Sequence, residues 1–137
     1  MPNDCIFCKI IAGEIPSHKV YEDDLFLAIM DVFPTTCGHV LILPKKHAQD
    51  ILDLPVDTAA AILPLAQKLA GQIYAAFHPD GLNMIQNNGP AAGQSVFHYH
   101  MHLIPRWESD GAVKQSKPIK ISPKELANMA TTIRNNS

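Results

Sequence analysis

At 137 residues, 47% of them hydrophobic and 18% charged, the chain has the make-up of one soluble globular domain, not of a disordered or fibrous segment. A formal charge of −2 argues against sequence-independent binding to a nucleic-acid polymer, and no apolar run reaches the ~18 residues of a membrane span. Met1-Pro2-Asn3-Asp4-Cys5 lacks the basic and apolar regions of a secretory signal, and three cysteines make no disulfide framework, so a reducing cytoplasm is the expected location.

In chain order, residues 20–22 and 25–32 predict two strands joined in a hairpin at Asp23-Asp24. Val40-Leu41-Ile42-Leu43 predicts a third strand, ended by Pro44. Residues 57–77 predict a helix, because Ile62, Ala66, Leu69, Ile73 and Phe77 recur at three- and four-residue steps. Pro64 lies inside that pattern and is expected to kink the helix or delay its regular part. Leu63, Leu65 and Ala70 add a second apolar side, and a helix apolar on two sides needs two partners, its own sheet and a second subunit. Residues 82–86 predict a fourth strand and Asn87 to Gln94 a turn-rich loop. The fifth strand is expected over roughly 96–104, closed by Pro105. Residues 108–121 carry no pattern. Ser122-Pro123-Lys124-Glu125 then reads as an N-cap, a first-turn proline and a capping box, opening a helix with Leu126, Met129, Ala130 and Ile133 on one stripe. The expected fold is α+β, with a five-stranded, largely antiparallel sheet, one main helix and a C-terminal helix. Without internal repeats, residues 1–137 are read as one domain. It has an N-terminal segment, 1–19, carrying a Cys-x-x-Cys pair, and a tail, 108–137.

The chemistry concentrates in His98-Tyr99-His100-Met101-His102. Successive side chains of a strand point to opposite faces, which puts His98, His100 and His102 in one row and Phe97, Tyr99, Met101 and Leu103 on the other side. Neutral imidazole is a nucleophile and a proton carrier near neutral pH. The preceding loop supplies Gly93, which lets backbone approach a ligand, and the polar side chains of Asn87, Gln94 and Ser95. Fixed donors beside an aimed nucleophile are what phosphoryl transfer requires. The competing reading, three imidazoles around a catalytic metal, lacks an evident carboxylate base.

Gly93-Gln94-Ser95-Val96-Phe97-His98-Tyr99-His100-Met101-His102-Leu103-Ile104 resembles the motif of the histidine triad (HIT) superfamily of nucleotide hydrolases and transferases. Ile6 to Ile11, Glu14-Ile15-Pro16, Tyr21 to Asp24, Gly38 to His47 and Asn87-Asn88-Gly89 extend the resemblance over nearly the whole chain, towards the purine nucleoside phosphoramidase branch. The resemblance implies that His100 attacks the α-phosphorus of a purine nucleotide substrate. A nucleotidyl-histidine forms, and water then releases the monophosphate with no cofactor required. It implies that His102 bonds the phosphate, that the carbonyl of His98 orients the triad, and that Ser95 meets the leaving atom. Asn87 and the Gly93-Gln94 backbone match phosphate contacts, and Asp31 matches a carboxylate on the ribose hydroxyls. Phe7, Ile10, Ile15, Ile29 and Val32 match an apolar slot for the purine, and His39 a proton-relaying histidine. Hydrolysis of dinucleoside polyphosphates, or nucleotide binding with incidental catalysis, are the alternatives. A homodimer joined through the main helix and fourth strand is also implied.

Cys5-Ile6-Phe7-Cys8 has the spacing with which two thiolates grip one metal. The resemblance to zinc-bearing bacterial members implies that His47 and His98 complete a structural zinc site. A redox role is disfavoured because no strand is evident before the pair and no helix evident after it.

Overall fold

The computed structural model describes residues 4–113 and 116–136. The first three residues of the N-terminal segment, and Lys114, Gln115 and Ser137 of the tail, lie outside them. Five strands, β1 (Lys19–Glu22), β2 (Phe26–Met30), β3 (Val40–Pro44), β4 (Gly81–Ile85) and β5 (Met101–Arg106), form one sheet in the order β1-β2-β3-β5-β4. Every neighbouring pair is antiparallel. Three helices, α1 (Ile6–Ile11), α2 (Val56–Phe77) and α3 (Pro123–Asn135), complete the α+β architecture.

The continuous apolar runs of β2 and β3 follow from burial on both faces. Phe26, Ala28, Val40 and Ile42 point to α2 and pack with its Ile62, Leu65, Ala66, Leu69 and Ile73. The alternate residues, Leu27, Ile29, Leu41 and Leu43, point the other way and pack with Phe7 and Ile10 of α1. Asp23 closes the β1–β2 hairpin as expected, its Oδ1 accepting the N–H groups of Leu25 and Phe26 at 2.8 and 2.7 Å.

Several expectations need correction. β2 stops at Met30, and Asp31 caps the turn beyond it, Oδ1 accepting the Phe33 N–H at 2.8 Å. β5 begins at Met101, not near 96, and Pro105 lies inside it. The reason is a bond across the fold: the Tyr99 N–H donates to the Ala48 carbonyl at 2.7 Å, so the backbone there is tied to the loop after β3 instead of to a strand. Pro44 is likewise the last residue of β3. α2 runs without interruption through Pro64, so its start is not delayed. Ala60, whose carbonyl Pro64 cannot serve, is exposed, as is Pro64, leaving that carbonyl open to water. Leu65 belongs to the core and Ala70 is half-buried, while Leu63 stays 59% exposed. Cys37 is exposed.

Gly38 enters β3 at φ +88°, and a Cβ there would meet the Phe77 ring at 2.9 Å and Pro105 at 3.3 Å. Gly38→Ala combines a left-handed backbone with overpacking and is expected to cost about 2 kcal/mol. Thermal unfolding should register this as a fall in Tm of roughly 5–10 °C.

Candidate active site

β5 and the extended residues before it carry the imidazole row. Leu41 and Ile85 flank His102 in register, which puts His102 on the α1 face of the sheet with Leu41. Tyr99, Met101 and Leu103 pack on the α2 side, so the alternation holds across 99–103. Phe97 leaves the pattern and is 43% exposed. His98 and His100 are buried although neither lies in a strand.

Hydrogen bonds assign the tautomers of the row. Nδ1 of His100 lies 2.7 Å from the His98 carbonyl, which can only accept. The proton therefore sits on Nδ1, and the Nε2 lone pair of His100 is free. On the other side the Thr35 N–H donates to Nδ1 of His39 at 3.0 Å, so His39 carries its proton on Nε2. That Nε2–H donates to Nδ1 of His102 at 2.9 Å, leaving the His102 proton on its own Nε2. Asp31 Oδ2 lies 3.5 Å from His39 Nε2. Apart from His98, whose ring lies against the cysteine pair, the row thus offers one free unprotonated ring nitrogen, on His100, beside one ring N–H donor, on His102. Phe7 meets the His100 ring edge to face at a centroid distance of 5.0 Å, and His102 flanks it at 5.0 Å.

Burial holds these rings neutral. It lowers His100 against the opposing pull of the His98 carbonyl, and lowers His39 against that of Asp31. Burial first, then the neighbouring His100 and His39, push His102 down to about 4. An unfolded histidine protonates near ~6.5, so between about 6.5 and 4 the unfolded chain binds protons that folded His102 refuses. Its contribution is present above that window and lost as pH falls through it. Tm is expected to drop as pH goes from about 6.5 to about 4, with a shallower slope in His102→Asn.

The loop before the row is a short 3-10 turn, Pro90–Ala92, closed by Gly93 at φ +91°. Asn87 lies against it, Nδ2 standing 3.5 Å from where a Gly93 Cβ would be. Three donors expected to face a phosphate are instead engaged inside the protein. The Gly93 N–H donates to the Pro90 carbonyl at 3.0 Å and the Gln94 N–H to Gly89 at 3.1 Å. The Gln94 side chain is buried, giving its amide hydrogens to the carbonyls of Gln49 and Val96 and accepting the Gly89 N–H at 2.7 Å. It is a clamp that shapes the loop. Ser95 is exposed and lines a cavity of about 430 Å³ with Asp4, Cys5, Ile6, His47, Gln49, Val96 and Phe97.

Phe7, Ile10 and Ile29 come together in the apolar cluster on the α1 face, with Ile15 at its margin. Val32 does not join them and is 67% exposed. α1 itself, and the Thr35 N–H that sets the His39 tautomer, had no counterpart in the sequence reading. Phe7, Ile10 and Ile11 at helical steps were the available signal for α1, hidden because the metal-type pair reads as a loop.

Cys5, Cys8, His47 and His98 converge, their ligand atoms all within 4.8 Å of one another. Cys5 Sγ lies 3.4 Å from His98 Nδ1, Cys8 Sγ 3.4 Å from His47 Nδ1 and 3.5 Å from His98 Nδ1, and the two Nδ1 atoms are 3.1 Å apart. Tetrahedral zinc bonds imply about 3.6 Å between sulfur and nitrogen and about 3.3 Å between nitrogens, so the set fits such a cation with small adjustments. His98 Nε2 donates to the Pro44 carbonyl at 2.8 Å, which frees Nδ1 as a ligand. Burial and Cys5 push the Cys8 thiol up to about 11, and burial pushes His98 down to about 4. A divalent cation reverses the first by taking the thiol as thiolate. One stated ground against a redox role fails here: a helix does open on the pair, since Cys5 caps α1 and its Sγ accepts the Cys8 N–H at 3.3 Å.

An aimed imidazole, a neighbouring ring N–H and an adjoining apolar cluster define a site of the nucleotide-binding hydrolase class. The chain belongs to the HIT family: the family model described as HIT domain matches residues 12–109. "Protein hit" of Bacillus subtilis is 45% identical over 133 residues, covering 95% of this chain and 92% of that protein. "Adenylylsulfatase HINT3" of Arabidopsis thaliana is 46% identical over 110 residues, covering 80% of this chain and 56% of that protein. A crystal structure of a Bacillus subtilis HIT family member superposes with a TM-score of 0.93 at 41% identity, covering 98% of both chains. A zinc-bound histidine triad family protein from Mycobacterium smegmatis superposes at 0.76 with 35% identity, again over 98% of both. HIT family members are nucleotide hydrolases. No helix among the described residues is long and apolar enough to cross a membrane.

Proposed function

We propose that this chain hydrolyses purine nucleoside phosphoramidates, AMP- or GMP-linked amines, at the α-phosphorus. The observation that carries the reading is the His100 ring, buried and held by the His98 carbonyl with Nε2 unprotonated. Nε2 attacks phosphorus, the P–N bond breaks with its electron pair going to nitrogen, and the amine leaves with a proton taken from solvent, which the water of the second step returns. Water then cleaves the new P–N bond to His100 and releases the monophosphate. The Nε2–H of His102 donates to a phosphate oxygen, and His39 behind it lets that proton be exchanged. Ser95 faces the leaving atom. Asn87 binds phosphate, and Asp31 holds the ribose through whatever capacity its turn cap leaves. Phe7, Ile10, Ile15 and Ile29 receive the base. No cofactor enters the chemistry, because fixed donors and a neutral nucleophile suffice.

Zinc on Cys5, Cys8, His47 and His98 is proposed as structural, supported by the convergent donor set and by the zinc-bound relative. A cytoplasmic homodimer joined through α2 and β4 is proposed on the exposed Leu63 and Met84, 59% and 44% accessible. The relative named adenylylsulfatase supports a second reading, with sulfate as the leaving group and the same nucleophile.

The test measures kcat/KM for adenosine phosphoramidate, adenylyl sulfate and diadenosine tetraphosphate on one preparation. The main reading expects the phosphoramidate to lead by at least tenfold. A lead for adenylyl sulfate or the dinucleotide reassigns the leaving group. Tight AMP binding with none of the three turned over would make the protein a binding module.

A further inference from the structure

The turn Cys5-Ile6-Phe7-Cys8 touches the nucleophile by two short routes. Its two sulfurs face the His98 ring, Cys5 Sγ at 3.4 Å and Cys8 Sγ at 3.5 Å from Nδ1, and the His98 carbonyl holds His100 Nδ1 at 2.7 Å. Phe7, between the cysteines in sequence, packs edge to face on both rings, at centroid distances of 5.9 Å to His98 and 5.0 Å to His100. A change in the covalent state of the cysteine pair therefore reaches His100 through Phe7 and through His98.

The pair is also placed to be oxidised. Cys5 Sγ accepts the Cys8 N–H at 3.3 Å, and the two sulfurs lie within 4.8 Å of each other on one turn of chain. Side-chain rotation and a slight tightening of that turn would join them. Access to the two thiols is unequal. Cys5 is part-buried and lines the cavity of about 430 Å³ together with Asp4, His47 and Ser95, whereas Cys8 is only 4% exposed. A reachable thiol next to a hidden one is the arrangement of an attacking and a resolving cysteine. In a reducing compartment such a disulfide is transient and serves sensing rather than stability.

We propose that Cys5 and Cys8 are a peroxide-responsive pair whose oxidation to a disulfide switches the His100 site off. Cys5 Sγ, as thiolate, attacks one oxygen of hydrogen peroxide; the O–O bond breaks, hydroxide leaves and a sulfenic acid remains. Cys8 Sγ, as thiolate, then attacks the Cys5 sulfur, the S–O bond breaks and a second hydroxide leaves. The two sulfurs lose two electrons, the peroxide gains them, and both hydroxides take protons from solvent. A disulfide offers no thiolate, so the cation proposed for this cluster would keep only His47 and His98 and depart. The turn tightens at Ile6 and Phe7, the Phe7 contact with His100 loosens, and the His98 ring keeps only its bond to the Pro44 carbonyl. A thiol reductant reverses the step. The disulfide needs neither the zinc nor the phosphoramidase reading; its effect on turnover rests on the catalytic one.

The test treats wild type and Cys37→Ser with graded hydrogen peroxide, blocks free thiols with iodoacetamide and maps the tryptic peptides. Cys37, exposed and outside the cluster, is the internal standard. The peptide Met1–Lys9, which holds both cysteines of the pair, should lose two hydrogens at doses that leave Cys37 largely reduced. Zinc should be released in step, read with pyridylazoresorcinol. In Cys37→Ser, turnover of the leading substrate should fall by about tenfold or more, and return with dithiothreitol and zinc. The low-field NMR signal of the His100 Nδ1–H, held by the His98 carbonyl, should shift in the same titration and needs no turnover to be read. A complete disulfide with an unchanged rate, or with an unchanged His100 signal where no rate is measurable, overturns the switch. So does Cys37 oxidising first, or Cys5 advancing to sulfinic acid with no disulfide. Reduced protein that turns over none of the three substrates overturns the catalytic reading, and a zinc-free preparation overturns the metal reading; in either case the disulfide and the His100 signal still decide the switch.

Discussion

His100→Ala is expected to lower kcat by about 10⁴-fold or more while AMP binds within a few-fold of wild type. No other ring can take over. His102 has its Nδ1 bonded to His39 and its proton on Nε2, so it presents a donor where an attacking lone pair is needed. His39 is tied at both nitrogens, to the Thr35 N–H and to His102. His98 turns its ring away, towards Pro44 and the cysteine cluster, and offers the row only its carbonyl. On the proposed reading His100 makes a bond only as the reaction proceeds, so its loss should appear in kcat and not in nucleotide affinity. A loss below tenfold would mean that another group attacks.

Removing zinc, or replacing Cys8 by alanine, is expected to be the most destabilising change outside the apolar core. On the proposed reading the cation ties α1 to the loop after β3 and to His98, three segments distant in sequence. A structural zinc site adds its binding free energy to folding, so loss of one ligand should cost on the order of 3–5 kcal/mol, or roughly 10–20 °C in Tm. The effect should reach the nucleophile as well, because the same residue whose ring would hold the cation provides the carbonyl that fixes the His100 tautomer. Thermal scans with and without a chelator, paired with zinc content by elemental analysis, check the first point. A zinc-free protein that unfolds at the wild-type temperature would contradict it.

Which parts of this molecule were legible before the structure follows from how local their physics is. The runs in β2 and β3 and the three-four periodicity of α2 are decided by burial on one face or two, and those elements stand where the pattern puts them apart from the ends of β2 and β3. The start of β5 depends on a long-range bond from the Tyr99 N–H to Ala48, which no periodicity reports. Gln94 reads as a donor for ligand. Its side chain is instead taken by the carbonyls of Gln49 and Val96, and only the fold brings Gln49 near. The imidazole row was evident from spacing. The tautomer of His102 was not, since it is set from Thr35 and His39, some sixty residues upstream. The convergence of Cys5, Cys8, His47 and His98 came from family resemblance; spacing supplied only the first two.

The central claim is a covalent bond between Nε2 of His100 and the α-phosphorus of the substrate. Rapid acid-free quenching of adenosine phosphoramidate turnover, followed by proteolysis and mass spectrometry, tests it most directly. An adenylyl group on the peptide containing His100, formed within the first turnover and chased away by water, is the expected result. Turnover at the wild-type rate with no adduct on that side chain, persisting in His100→Ala, would contradict the account.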